Sequence, residues 1–174
     1  MQDAIGLIEP NIPALRRYAY GLLRDEADAD DLVQDCLERA VSKWRQRRAD
    51  GNVRTWLFSI LHNLAVSRFR QIRRRGSNVA LEDAPLSALT AAPVQEDAIR
   101  HGELLRALAR LSEDQRSVLL LVSVEDLSYA EAAGVLGVPV GTVMSRLSRA
   151  RAALRKLMDG QVSEASRPAL RIIQ

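Results

Sequence analysis

The segment from Ser128 to Leu157, SYAEAAGVLGVPVGTVMSRLSRARAALRKL, leaves little freedom in how it folds. Ser128 followed by Glu131 is a capping-box start, in which a hydroxyl and a carboxylate satisfy the first free N–H groups of a helix. Ala130, Ala133, Val135 and Leu136 then supply small or apolar side chains at helical spacing, and the run stops at Gly137. Glycine suits the left-handed position that ends a helix. Pro139 cannot continue that helix but suits the entry to a second one. The second helix places Val143, Leu147, Ala150 and Leu154 on one face, a three/four spacing. Arg146, Arg149, Arg151, Arg155 and Lys156 fall on its other faces, and no acid interrupts from Thr142 to Met158. An αα-hairpin with a merely solvated basic face has the same periodicity. The small residues at the crossing, the turn chemistry and the uncompensated positive charge together favour the DNA-reading helix-turn-helix.

The rest of the chain reads as helical too. Ile12 to Leu23 form an amphipathic helix with Pro13 near its start and Leu15, Ala19, Leu22 and Leu23 facing inward; Arg16, Arg17 and Arg24 lie outside that face. An acidic knot follows (Asp25, Glu26, Asp28, Asp30, Asp31), and acids favour the N-terminus of a helix. The next helix carries Leu32, Cys36, Ala40 and Trp44 at every fourth position, widened by Val33, Leu37 and Val41, and is predicted to run to about Trp44. Its outer face begins acidic (Asp31, Gln34, Asp35, Glu38) and ends basic (Lys43, Arg45, Arg47, Arg48). That pattern suits a dipole-matched surface helix, or an acidic docking face for a basic partner.

After the polar loop Gln46–Asn52, a third helix is predicted from about Val53 to Arg74. Trp56, Leu57, Ile60, Leu61, Leu64 and Phe69 are its apolar positions, with Trp56 and Phe69 favoured as core. Its other face holds Arg54, His62, Asn63, Ser67 and Arg68, and it ends in Arg70, Arg73, Arg74 and Arg75. Cations beside aromatics suit single-stranded or distorted DNA, where bases stack and phosphates meet arginine.

Between residues 76 and 95 the sequence has two prolines and no lysine or arginine, and its length marks it as a linker. A helix from about Asp97 to Leu111 follows, and Ser112 with Gln115 caps the next. Beyond Met158 the chain turns polar, and its last residues are expected to fray. The expected architecture is therefore all-α: two small helical domains joined by a flexible linker, the C-terminal one containing the helix-turn-helix. The predicted bounds are residues 1–75, a linker at 76–96, a second domain at 97–160 and a tail at 161–174.

Composition narrows the function. Of 174 residues 4% are aromatic, so the cores must be aliphatic, and the net charge of +3 hides strong local segregation. Cys36 is the only cysteine, which excludes an internal disulfide and a cysteine zinc cluster, and His62 and His101 lack ligand-like spacing. No nucleophile–base pair, metal cluster or phosphate loop emerges, so neither an enzyme nor a cofactor is expected. No signal peptide or apolar run of membrane-spanning length is visible, and a cytoplasmic setting is expected.

Two blocks carry a family resemblance: DADDLVQDCLERAVSKW followed by WLFSILHNLAVSRFR, and LSEDQRSVLLLVSVEDLSYAEAAGVLGVPVGTVMSRLSRARAALR. In this order and spacing, over roughly Ile12 to Met158, the chain resembles a bacterial RNA polymerase sigma factor of the extracytoplasmic-function (ECF) type. The short linker fits that class, which lacks the middle domain of larger sigma factors. The resemblance implies promoter-specific initiation with core RNA polymerase, control by an anti-sigma factor, and no covalent chemistry. It implies that Asp28, Asp31, Gln34, Asp35 and Glu38 bind the polymerase β′ clamp helices, with the β flap as a further contact. Asn63, Arg54, Arg68, Arg70, Arg73 and Arg74 would act at the promoter −10 region, with the loop Gln46–Asn52 helping to hold an extruded base. Thr142, Met144, Ser145, Arg146, Ser148 and Arg149 would enter the major groove at −35. Relatives often have an acid where Ser67 stands and a lysine or arginine where Met144 stands. A methionine cannot make the bidentate guanine contact, so base preference there should differ. Two rivals share parts of the pattern. A helix-turn-helix repressor or response-regulator output domain would bind duplex DNA without polymerase. A sigma mimic that titrates regulators would carry acids in place of the basic second helix.

Overall fold

The computed structural model describes residues 2–47, 51–74 and 95–165, and these are helical apart from short turns. The N-terminal unit comprises α1 (Gln2–Ile8), α2 (Ile12–Leu23), α3 (Glu26–Ser42) and α4 (Val53–Arg74). The C-terminal unit comprises α5 (Gln95–Arg110), α6 (Glu113–Ser123), α7 (Tyr129–Leu136) and α8 (Val140–Ala165). The predicted linker lies almost wholly outside the described residues, as does the end of the tail.

Local chemistry sets most boundaries. Asp25 caps α3 by accepting from the Asp28 N–H at 2.8 Å. Both predicted capping boxes form, Ser112 with Gln115 ahead of α6 and Ser128 with Glu131 ahead of α7. Gly137 ends α7 with φ of 64°, the left-handed conformation that only glycine adopts freely. Three features depart from the sequence reading. The N-terminal α1 had not been anticipated. The helix expected to reach Trp44 stops at Ser42, and Trp44–Gln46 tighten into a 3₁₀ turn. That turn brings Trp44 edge-on to Trp56, with ring centroids 6.0 Å apart, and the Arg47 guanidinium covers its ring at 4.8 Å. The helix α8 also continues past Met158 to Ala165, since no proline interrupts that polar stretch.

Burial follows the predicted faces, with informative exceptions. Leu15, Ala19, Leu22, Leu32, Val33, Cys36, Leu57, Leu61, Leu64, Val143, Leu147 and Ala150 are buried. Trp56 and Phe69 are only partly buried against this core, and Val41 is 48% exposed. Tyr18 and Phe58, absent from the predicted faces, are fully buried and meet edge to face at 5.4 Å.

The two units do not stand apart. The helix α2 packs on α6 and α4 packs on α7, and one apolar core runs through both units. Gly21 makes the closest approach possible: a Cβ there would lie 2.8 and 2.9 Å from the Leu120 methyl groups. Arg116, 7% exposed, is buried beside this contact. Its guanidinium donates to the carbonyl oxygens of Leu108, Ala109 and Leu111 in its own unit and of Leu22 across the interface, at 2.7–3.0 Å. Burial lowers its pKa first, and the Arg24 charge adds to that. Four carbonyl partners explain how a buried cation is tolerated there.

Candidate nucleic-acid interface

Three surfaces carry the sequence-predicted residues. On α3, Asp31, Gln34, Asp35 and Glu38 are exposed along one face, with Gln34 donating to Glu38 at 3.3 Å. Helical spacing sets this row, because positions 31, 34, 35 and 38 follow the i, i+3, i+4, i+7 rule. Asp28 differs. It is partly buried and ion-paired to Arg68 of α4. A residue predicted for polymerase docking thus meets one predicted for −10 DNA.

On α4, Asn63, Arg70, Arg73 and Arg74 are exposed, while Arg54 and Arg68 are partly buried. The Ser67 hydroxyl donates back to the Asn63 carbonyl at 2.8 Å. On α8, Met144 is 53% exposed and Ser145, Ser148 and Arg149 face solvent. Arg149 lies back along the helix, its Nε donating to the Ser145 carbonyl at 3.2 Å. Arg146 is partly buried and pairs with Asp114 of α6 at 2.9 Å, so it links the reading helix to its support. The Asp28–Arg68 pair joins the first two surfaces, and no hydrogen bond or ion pair joins either of them to the exposed face of α8 among the described residues.

The polar groups between the units were not legible in the sequence. Glu125, in the turn after α6, is 2% exposed. Arg17 of α2 grips it in a fork, Nε to Oε1 at 3.1 Å and Nη2 to Oε2 at 2.9 Å. Arg54 reaches the same residue from α4, donating to its backbone carbonyl at 2.8 Å and to Oε2 at 3.2 Å. Glu131, the capping acid of α7, accepts from Asn52 at 3.1 Å and from the Thr55 hydroxyl at 3.3 Å. Its hydrogen bond from the Ser128 hydroxyl is the main reason its carboxyl is held below the usual range. Glu113 at the start of α6 pairs with Arg73 at 3.3 Å. Partners 71 and 108 positions distant explain why no local pattern pointed to Glu125.

Behind this row, Tyr18 hydroxyl and His62 Nδ1 are 3.0 Å apart, and Ser117 of α6 is also hydrogen-bonded to Tyr18. Burial drives the His62 pKa down to about 4 against the opposing pull of Asp114, so the ring is neutral near pH 7. Burial likewise pushes the Tyr18 phenol up. The Cys36 thiol, donating to the Leu57 carbonyl at 3.5 Å, is pushed up to about 12, which makes it an inert core group. Among the described residues, no three His, Cys, Asp or Glu side chains gather to hold a metal, and no helix is long and apolar enough to cross a membrane.

The arrangement has close counterparts in known proteins. The family model described as the Sigma2 domain of PhyR matches residues 8–62, and that for sigma-70, region 4 matches residues 101–154. The chain is 39% identical to an ECF RNA polymerase sigma factor, EcfG, of Rhodopseudomonas palustris over 150 residues, 84% of this chain and 80% of the relative. It is 37% identical to the ECF RNA polymerase sigma factor SigC of Mycobacterium tuberculosis over 140 residues, 76% of this chain and 71% of the relative. Among solved structures it is similar to the sigma factor RpoE in complex with the anti-sigma factor NepR from Bartonella quintana. That similarity has a TM-score of 0.74 and 34% identity, and covers 91% of this chain and 98% of the other. It is also similar to CnrH in complex with the cytosolic domain of CnrY, with a TM-score of 0.68 and 30% identity over 92% of this chain and 90% of the other.

Proposed function

The chain belongs to the ECF family of RNA polymerase sigma factors, and on that premise we propose a residue-level division of labour for its work in promoter-specific initiation. The family match in both units, in order, is the observation that carries the function: a core-polymerase partner, promoter DNA, and control by an anti-sigma factor.

The exposed row of Asp31, Gln34, Asp35 and Glu38 on α3 docks on the polymerase clamp helices. Their outward row, and the absence of an ion pair at Asp31 and Asp35 among the described residues, support this reading. Asp28 contributes once Arg68 lets it go. The units so divided are residues 1–75 for docking and −10 DNA and residues 97–160 for −35 DNA, with 76–96 between them and 161–174 as a tail. On α4, Asn63 sits beside the extruded base, while Arg54, Arg68, Arg70, Arg73 and Arg74 hold phosphates and offset the unstacking cost of a few kcal/mol. On α8, Thr142, Met144, Ser145, Ser148 and Arg149 face the −35 major groove. Arg146 combines that role with bracing α8 on α6. Two weak DNA contacts on one chain reinforce each other through effective concentration. The polymerase supplies the covalent chemistry, and this chain works without a cofactor in the cytoplasm.

A mimic that only titrates regulators would need acids where α8 keeps Arg149, Arg151 and Arg155 exposed, so the promoter-binding reading is favoured. Reconstitution with core RNA polymerase and a promoter library, read as transcript start sites, tests the proposal. Promoter-specific starts sharing −10 and −35 elements are expected. A folded chain, free of inhibitor, that gives none would overturn it.

A further inference from the structure

The contacts between the two units have a consistent polarity. Five polar side chains of the N-terminal unit donate across the interface: Arg17, Asn52, Arg54, Thr55 and Arg73. The side chains that accept from these five are carboxylates: Glu125 for Arg17 and Arg54, Glu131 for Asn52 and Thr55, and Glu113 for Arg73. Guanidinium, amide and hydroxyl donors are the groups that bind phosphodiester oxygens. Arg54 to Arg73 spans roughly 28 Å of helix at the standard rise, long enough to follow several nucleotides. Three carboxylates thus stand along this row where the charges of a backbone could stand.

We propose that Arg17, Asn52, Arg54, Thr55 and Arg73 form a phosphate-binding row for single-stranded DNA, occupied in the closed chain by Glu113, Glu125 and Glu131 of the C-terminal unit. Strand capture and closure then compete. Opening the molecule exposes the row, and a bound strand keeps the −35 reader from folding back. This rests on the reading of α4 as the −10 element and adds Arg17, Asn52 and Thr55 to it. Glu125 is the strongest point of closure because it alone is buried and held from two helices. Leu120 over Gly21 is the apolar part of the same contact.

The test uses the full chain, with small-angle scattering for its dimensions and fluorescence anisotropy of a labelled single-stranded oligothymidine for binding. Glu125→Gln keeps shape and removes the charge; Gly21→Leu separates the units sterically and leaves every charge in place. Circular dichroism checks folding, and Glu125→Gln carries the test if Gly21→Leu does not fold. Both variants are expected to expand. They should bind the oligonucleotide roughly tenfold more tightly, as the fraction of open chain rises. Adding Arg17→Ala and Thr55→Ala to either opened variant should return most of that gain without making it compact again. Variants that stay compact, or expand without tighter binding, would overturn the proposal. If binding in an opened variant depends on Arg70 and Arg74 but not on Arg17 and Thr55, the −10 reading stands and the row falls. If no opened variant binds the strand, both fall together.

Discussion

Two sets of carboxylates divide this molecule. On the outer face of α3, Asp31 and Asp35 are exposed and make no ion pair among the described residues. Between the units, Glu125 is buried under two arginines. One set finds its cations within the chain, and the other has none among the described residues. Exposed charges contribute little to folding and much to selective association, because their field reaches into solvent and lowers the barrier to encounter. A buried carboxylate has the opposite profile. Its desolvation must be offset on the spot, so it fixes one geometry of the chain and penalises every other.

The difference can be broken from the outside first. Asp31→Lys with Asp35→Lys should lower affinity for core polymerase by about a hundredfold or more, since like charges juxtaposed at an interface cost several kcal/mol. Melting temperature and −35 duplex binding by the same full chain should stay at the parental level. A parallel fall in stability would show that these acids also serve the fold. From the inside, His62 makes the interface sensitive to acid. Its folded pKa of about 4 lies below the ordinary 6.5, so the unfolded chain binds more protons between those values. Its contribution is therefore full above pH 6.5, declines as pH falls through that window and is gone below about 4, a change on the order of 3 kcal/mol. Urea midpoints measured across this range should show that slope, and His62→Gln should flatten it. The smallest effect belongs to the other outer surface. Arg149→Ala should reduce −35-dependent initiation by about tenfold, about 1.4 kcal/mol, with core affinity level. Equal losses in both assays would mean that the outer surfaces do not work independently.

Near neighbours in sequence were legible because their physics is local. The capping boxes at Ser112 and Ser128, the left-handed Gly137, the bounds of α2 and α4 and the acidic row on α3 all depend on residues within a few positions of one another. The ECF membership rested on two such local blocks in their order. Where the reading slipped, a distant partner decided. Trp44 left its helix to meet Trp56. The pairs Arg146–Asp114 and Asp28–Arg68 likewise had no local signal, though they leave the roles expected of those residues open to test. Tyr18 and Phe58 also escaped notice, and they meet each other across α2 and α4.

The chain alone therefore determined an all-α protein, most of its helix ends, its basic last helix and its outward acids. Backbone propensity, capping and three/four periodicity act over a single turn and need no tertiary contact. Only the tertiary structure decided that the two units close on each other, and that Glu125 in the turn after α6 holds Arg17 and Arg54. The physical reason is that charge pairing and close packing depend on separations in space. A glycine on α2 and a leucine on α6 acquire their meaning only when folding brings them together.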